Sequence, residues 1–214
     1  CEDVNLSGVT VSDGDGATGV ALYNTVGSIV IAGSSFLRNT AKGNPSTNGG
    51  GGLVVEFSYC IPGDNLCPQH PFSVHSNRDS IYTFYNCTFA QNVATGRDLT
   101  PVVPYQYAHS TFGRGGGLSV SFNGNASNNT VQIMDCSFEN NTAMVGGGVF
   151  VHFGDNALEN ELIVENCAFL NNKCSLIQLG TSGGGLRVEH YINIRAATEI
   201  QNTVTLQNCQ VLGN

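Results

Sequence analysis

The chain repeats one pattern four times and begins it a fifth time. The pattern is hydrophobic-x-hydrophobic-x-x-Cys/Ser-x-Phe-x-x-Asn, followed by Gly-Gly-Gly-hydrophobic-x-hydrophobic. A repeat of this kind is typical of solenoids, in which each copy buries its apolar face against the next copy. The copies begin at Ile29, Tyr82, Val131, Leu162 and Val204.

Each copy is predicted to contain two short strands that meet at a corner. Val131 and Ile133 follow the two-residue period of a strand, but the next apolar pair, Cys136 and Phe138, is displaced by one position. Because strand side chains alternate between two faces, this change of parity predicts a bend. The residue before the Cys position tolerates a left-handed backbone in every copy. These residues are Gly33, Asn86, Asp135, Asn166 and Asn208.

A third alternating strand follows each run of glycines, as in residues 118–122. Three short strands per turn, each stacked on its equivalent in the next turn, predict an all-β fold, a right-handed parallel β-helix of about five to six coils with long loop inserts. Equivalent positions should then form ladders along the axis. The predicted ladder residues are Phe36, Phe89, Phe138 and Phe169, then Asn39, Asn92, Asn141 and Asn172, and Cys87, Cys136, Cys167 and Cys209.

The unbroken repeat predicts a single domain over residues 1–214, with inserts at about residues 58–80 and 95–114. The chain starts with a Cys and stops midway through a copy, and the sequence shows no capping segment. Open ends of a solenoid are unpaired strand edges. We therefore expect a segment of a longer chain.

Charge and cysteine content narrow the partners and the compartment. With 16 acidic and 8 basic side chains, the net charge is −8, and a nucleic-acid backbone would be repelled. No apolar run of about 18 residues occurs, so we expect no membrane insertion by this segment. Eight cysteines and five glycosylation sequons favour an extracellular or cell-surface location. The sequons begin at Asn5, Asn86, Asn125, Asn128 and Asn140.

Asn125 and Asn128 lie in a polar loop and are the best glycosylation candidates, whereas Asn86 and Asn140 fit equally well as turn residues. A disulfide is predicted between Cys60 and Cys67, because it would stabilise a Pro- and Gly-rich insert with little core.

The column cysteines are expected to be buried free thiols. Side chains of in-register parallel neighbours point the same way and must tilt to form a bond. Cys174, which takes the Ala position of other copies, remains an alternative disulfide partner for Cys167.

The inserts contain the candidate partner-binding residues Phe72, Tyr105, Tyr107 and His109. An alternative role for these aromatic residues is to shield the flank of the solenoid.

No catalytic residue is predicted. The outward positions of the Gly-led strands lack the adjacent acidic pair that glycoside hydrolysis needs, and no Ser/His/Asp arrangement is evident. His70 and His75 lack a third ligand for a metal ion. The Asp13-Gly-Asp15 segment lacks the remaining oxygen ligands of a calcium loop. We therefore predict no cofactor, with a calcium-stiffened acidic spacer as an alternative.

The Phe-x-x-Asn segments at 89–92, 138–141 and 169–172 alternate with Gly-Gly-Gly-Leu/Val. They resemble the paired Phe-x-x-Asn and Gly-Gly-Ala-Ile repeats of chlamydial polymorphic outer-membrane proteins. They are also similar to right-handed β-helix regions of large algal and protist surface proteins, which have a pectin-lyase-like fold. The resemblance covers about residues 28–214. Departures are the third Gly in place of Ala, Ser34 in the Cys column, and the absence of an autotransporter barrel.

This resemblance implies a passenger-like stalk used in adhesion or in a surface filament. We expect a non-catalytic, extracellular structural or adhesive module of a large surface or filament-forming glycoprotein. Its expected partners are other proteins or further β-helix coils of the same polypeptide, with glycans as an alternative. A polysaccharide-active enzyme or carbohydrate-binding module of pectin-lyase-like fold is the alternative function.

Overall fold

The structure is a computed structural model. It describes residues 3–16, 20–23, 27–42, 50–57, 78–95, 113–122, 126–154, 157–175, 183–190 and 201–214. Within these residues the regular secondary structure consists of 22 strands, β1 to β22, and contains no helix. The strands form four sheets, here named A to D, and neighbouring strands in each sheet are parallel.

Sheets A and B hold six strands each. Sheet A contains β1 (Asp3–Ser7), β5 (Ser28–Ala32), β9 (Ile81–Tyr85), β13 (Thr130–Met134), β17 (Glu161–Glu165) and β21 (Thr203–Gln207). Sheet B contains β2 (Thr10–Ser12), β6 (Ser35–Leu37), β10 (Thr88–Ala90), β14 (Ser137–Glu139), β18 (Ala168–Leu170) and β22 (Gln210–Leu212).

Sheets C and D hold five strands each. Sheet C contains β3 (Asp15–Gly16), β7 (Thr40–Ala41), β11 (Val93–Ala94), β15 (Thr142–Ala143) and β19 (Lys173–Cys174). Sheet D contains β4 (Val20–Tyr23), β8 (Leu53–Phe57), β12 (Leu118–Phe122), β16 (Val149–Phe153) and β20 (Leu186–His190).

The chain visits the sheets in the order A, B, C, D and then returns to sheet A one level along the axis. The described residues make five complete coils and the first two strands of a sixth. Corresponding strands pair in register, so that Phe89 lies between Phe36 and Phe138. The predicted all-β parallel solenoid of about five to six coils is therefore confirmed.

The prediction of three strands per coil is wrong, because each coil has four. The missed strands are those of sheet C, which follow each ladder asparagine directly. A strand of two residues, such as Thr142–Ala143, is too short to show the alternation by which strands are recognised in a sequence. The first coil also has all four strands, β1 to β4.

The corner between sheets A and B has the predicted left-handed backbone. Its five residues have φ angles of 50–55°. Further left-handed positions recur before the ladder asparagines, as at Asn140, before sheet A, as at Asn128, and in the glycine runs, as at Gly115 (φ 53°, 55° and 62°). Short strands separated by such corners turn the chain through a full coil without a helix.

The glycine runs bring sheet C close to sheet D. A Cβ atom on Gly116 would lie 2.3 Å from the Gly147 carbonyl oxygen and 2.7 Å from the Thr142 carbonyl oxygen. Real Cβ atoms do not approach a backbone so closely, so only glycine allows the chain to pass here.

Candidate functional site

The predicted asparagine ladder is a continuous file of buried amides. The backbone N–H and the Nδ2 of Asn92 both donate to Oδ1 of Asn141, each at 3.0 Å, and the Nδ2 also donates to the Phe36 carbonyl at 2.8 Å. Asn141 repeats these bonds with Asn172, which repeats them with Asn214. Each amide thus satisfies buried backbone groups at a corner that sheet hydrogen bonds do not reach.

A second asparagine ladder, which sequence analysis missed, runs before sheet A. The backbone N–H and Nδ2 of Asn129 donate to Oδ1 of Asn160 at 3.2 and 2.9 Å, and Asn160 donates in the same way to Asn202. Ser80 takes this position in the third coil, and its N–H donates to Asn129. A signal was present, because each of these residues precedes the column cysteine by seven positions.

Two columns of aromatic rings fill the core. The predicted column stacks its rings at centroid separations of 4.8, 4.8 and 5.1 Å, with interplanar angles of 5–6°. Its members are Phe36, Phe89, Phe138 and Phe169. A second column, at the end of the sheet D strands, was not predicted and stacks at 4.8 and 4.9 Å. Its members are Phe57, Phe122 and Phe153.

The column cysteines Cys87, Cys136, Cys167 and Cys209 are free thiols, and the first three are buried. Each thiol contacts the carbonyl two residues earlier, as Cys136 Sγ does at 3.2 Å from Met134 O. Each also lies near a carbonyl of the preceding coil, 3.6 Å in that case. Ser34, at the same position of the second coil, donates its hydroxyl to Ala32 O at 3.0 Å. This column therefore requires a small side chain that can donate a hydrogen bond to a backbone carbonyl at the corner.

The alternative disulfide between Cys167 and Cys174 is absent, because both residues are free thiols. Cys174 Sγ instead lies 2.7 Å from Met144 O. Hydrogen bonds with the thiols of Cys167 and Cys87, together with burial, raise the pKa of Cys136. Burial likewise raises the pKa of Cys209.

The outer face of sheet D brings together three polar side chains at outward positions of the Gly-led strands. Ser121, His152 and Glu189 are in register on β12, β16 and β20. Ser121 is buried, whereas His152 and Glu189 are partly exposed. The carboxylate of Glu189 is held by Arg187 at 2.7 Å.

Glu56 belongs to the same file as Glu189 but lies three strands away. At about 4.8 Å per strand, the backbones of the two residues are about 14 Å apart. The two acidic residues of this file are therefore not on neighbouring strands.

The acidic segment at 13–15 makes ion pairs with the next coil. Arg38 lies 2.7 Å from Asp13, and Lys42 lies 2.7 Å from Asp15. The hydrogen bond from Arg38 lowers the pKa of Asp13. In the part of the chain that the structure describes, no three His, Cys, Asp or Glu residues converge on a point that could hold a metal ion.

Three predicted sequons, at Asn86, Asn128 and Asn140, fall on the left-handed corners, and their asparagines are exposed. In each of these triplets, the residue after the asparagine is buried. The Thr that comes next begins a strand, as Thr88 and Thr142 do. The fold alone therefore explains these triplets. The Nδ2 of Asn128 donates to Asp79. Asn5, the fourth described sequon, is exposed on β1.

At both described ends of the solenoid, apolar side chains that belong to the core columns are exposed. Ile31 and Val164 belong to one inward-facing column and are 1% and 0% exposed, whereas its end members Leu6 and Leu206 are 38% and 48% exposed. Val211, which ends the phenylalanine column, is 56% exposed. Within the described residues, the strands at either end of a sheet pair on one side only, whereas the inner strands pair on both sides.

The remaining site predictions lie outside the described residues. They concern the disulfide between Cys60 and Cys67, the sequon at Asn125, and the candidate partner-binding residues Phe72, Tyr105, Tyr107 and His109. The described parts of inserts 58–80 and 95–114 belong to the coils, since Arg78 bridges to Ser127 and Arg114 bridges to Val145. No helix in the described ranges is long and apolar enough to cross a membrane.

Comparison with models of known protein families, with curated proteins and with solved structures finds no match to this chain.

Proposed function

We propose that this chain is a non-catalytic structural and adhesive module of a large extracellular surface or filament-forming glycoprotein, built as a right-handed parallel β-helix. The observation that carries the proposal is the repetition of the same coil-to-coil contacts along the described coils, whose strands pair in register in all four sheets. Leu206 and Val211 continue columns whose members in the inner coils are buried. A stack of this kind can be lengthened by further parallel coils.

The periodic columns support a load-bearing role. Buried amides and stacked rings connect each coil to the next from the second coil to the fifth, as Asn141 and Phe138 do in the fourth coil. Because every coil contacts its neighbours in the same way, the number of coils can grow without a new interface.

Self-association through the ends tests the proposal. Leu206 on the end face and Ile81 on the outer face of sheet A are both 48% exposed. We expect the 214-residue chain to associate with rising concentration in sedimentation velocity. Leu206→Asp should weaken that association, and the matched control Ile81→Asp should not.

Thermal melts followed by far-UV circular dichroism check that both variants keep the fold. A chain that stays monomeric at all concentrations, or equal effects of the two folded variants, would contradict end-to-end association.

Glycosylation and location are tested separately. In a eukaryotic secretion host, we expect glycans at Asn125 or Asn128, detected as a mass loss after treatment with peptide-N-glycosidase. Recovery of a secreted chain without glycan would contradict the glycoprotein part of the proposal.

A carbohydrate-active enzyme or carbohydrate-binding module remains the second candidate function. The observation in its favour is the polar file Ser121, His152 and Glu189 on one face of sheet D. A glycan array and a turnover assay on uronic-acid polymers separate the two candidates. Saturable turnover that His152→Ala abolishes would replace the structural proposal with the enzymatic one.

A further inference from the structure

Three thiols of the cysteine column lie in coils that have a neighbour on each side. Cys87, Cys136 and Cys167, here called the inner thiols, belong to the third, fourth and fifth coils and are only 1–2% exposed. The strands on either side of them pair in register, so the three residues lie opposite one another. Hydrogen bonds join the Cys136 thiol to the thiols of Cys87 and Cys167. The inner thiols therefore form a row of soft ligands in contact with one another.

The spacing of this row suits a metal ion held between two sulfur atoms. Adjacent parallel strands lie about 4.8 Å apart, and side chains in register point the same way. A metal–thiolate bond is about 2.3 Å long, so a linear sulfur–metal–sulfur unit spans about 4.6 Å. A disulfide would need more tilt of the side chains, because its Cβ atoms lie about 3.5–4.5 Å apart.

The same row limits the coordination number to two. Cys87 and Cys167 are two strands apart, about 9.6 Å, so a third sulfur does not reach an ion that lies between two neighbours. Zn(II) takes four ligands in a tetrahedron, which the inner thiols do not supply. Soft thiolates select Cu(I), which accepts two of them in a line. Cu(I) is therefore the ion that this geometry fits.

Backbone groups and charges at the corner favour a bound thiolate and an entering cation. The N–H of Cys87 donates to Cys136 Sγ at 3.4 Å, and such a bond strengthens when the sulfur is charged. Asp135 precedes Cys136 at the exposed corner, and Glu165 lies on the adjacent strand of sheet A. Their carboxylates attract a cation to the corner, one residue away from the buried thiols.

We propose that Cys136 and one of its two neighbours in the column, Cys87 or Cys167, bind a Cu(I) ion in linear two-coordinate geometry inside the folded solenoid. The inference depends only on thiols between inner coils. It holds whatever lies beyond either end of the chain, and it does not require the proposed structural function.

Binding is an exchange of protons for a metal ion. Two S–H bonds break, two S–Cu bonds form, and the two protons pass to the solvent. No electron moves, because copper enters and remains as Cu(I). The product is a bis-thiolate with one negative charge, which the N–H donors of the corner stabilise. Because the thiols are buried, the ion enters most readily while the chain folds.

Copper uptake by the full chain tests the proposal. The cysteines other than the inner thiols are replaced with serine, which gives a three-thiol chain; they are Cys1, Cys60, Cys67, Cys174 and Cys209. This chain is refolded from urea without oxygen, in the presence of the Cu(I)–bicinchoninate complex. The loss of absorbance of that complex measures the transfer of copper, and X-ray absorption counts the sulfur neighbours. We expect one Cu(I) per chain, with two sulfur neighbours.

Two variants of the three-thiol chain with equal numbers of thiols give the sharpest comparison. Cys136→Ser leaves the other two thiols two strands apart, so each binds alone, and the affinity for Cu(I) should fall at least about 100-fold. Cys87→Ser is the matched control. It leaves Cys136 and Cys167 in adjacent coils, so the affinity should stay nearly unchanged.

The serine variants should fold, because Ser34 already occupies this column in the second coil. Thermal melts followed by far-UV circular dichroism check each variant. If Cys136→Ser does not fold, the double variant Cys87→Ser/Cys167→Ser isolates Cys136 and should show the same loss of affinity. Equal affinities of Cys136→Ser and Cys87→Ser, three sulfur neighbours around the copper, or no uptake by the folded three-thiol chain would overturn the proposal.

Discussion

Replacing Asn141 with alanine removes the middle member of the first asparagine ladder. The side chain makes four hydrogen bonds. Its Oδ1 accepts from the backbone N–H and from Nδ2 of Asn92, each at 3.0 Å. Its Nδ2 donates to Phe89 O at 2.8 Å and to Asn172 Oδ1 at 3.0 Å.

The loss of stability should be large because the site excludes water. Asn141 is 0% exposed, so water does not replace the lost amide. The N–H of Asn92 and the carbonyl of Phe89 lose a partner at the corner, and each such buried group costs about 1–3 kcal/mol. With the amide bonds themselves included, we expect Asn141→Ala to lower the free energy of unfolding by about 3–5 kcal/mol.

Asn214→Ala is the matched control, because Asn214 ends the same ladder and is exposed. Water can bond to the groups left behind there, so we expect a loss of about 1 kcal/mol or less. Urea unfolding is followed by far-UV circular dichroism and by tyrosine fluorescence, since the chain has no tryptophan. Two probes are needed because solenoids can unfold in parts.

Equal losses for the two variants, or a loss below about 1 kcal/mol for Asn141→Ala, would refute the reasoning. Either result would mean that the buried amides do not carry the coil-to-coil contact.

Three further predictions follow from packing and charge. Phe138→Ala should lower the free energy of unfolding by about 3–5 kcal/mol, and Phe138→Leu by clearly less, because only alanine leaves a large cavity in the ring column; urea unfolding checks this. Gly116→Ala should prevent close packing of sheets C and D and lower the melting temperature strongly, whereas Gly16→Ala, whose Cβ meets nothing within 4 Å, should not. The pKa of Asp13, measured by NMR, should lie below its model-compound value of 3.8 and should rise toward that value in Arg38→Gln. Because that pKa is lowered in the fold, the ion pair stabilises the fold above the unfolded-state pKa and is lost as the pH falls through the folded-state pKa.

The column positions were predictable because a solenoid stacks residues at the repeat interval of its own sequence. The phenylalanine and asparagine files could be read from spacing alone, as could the left-handed corner at Asn86. The second ladder, at Asn129 and Asn160, obeys the same rule and was detectable from its fixed offset to the cysteines. The members of this second ladder are polar, so the apolar periodicity that indicates strands does not mark them.

The polar file on the outer face of sheet D follows the same rule, because Ser121, His152 and Glu189 are each the fourth residue of a Gly-led strand. The pairing of Glu189 with Arg187, in contrast, is a property of side-chain placement. Such contacts depend on the conformation and the neighbours of each side chain, which the spacing of residues in the sequence does not encode.

The sequence by itself determined the parallel coil and the columns that fill it. The two-residue period of strands and the repeat interval can both be read along the chain without knowledge of its spatial contacts. Only the tertiary structure decided that a fourth, two-residue strand completes each coil, that a second column of aromatic rings fills the core, and that Arg187 pairs with Glu189. These features arise from the spatial contacts of each strand and side chain.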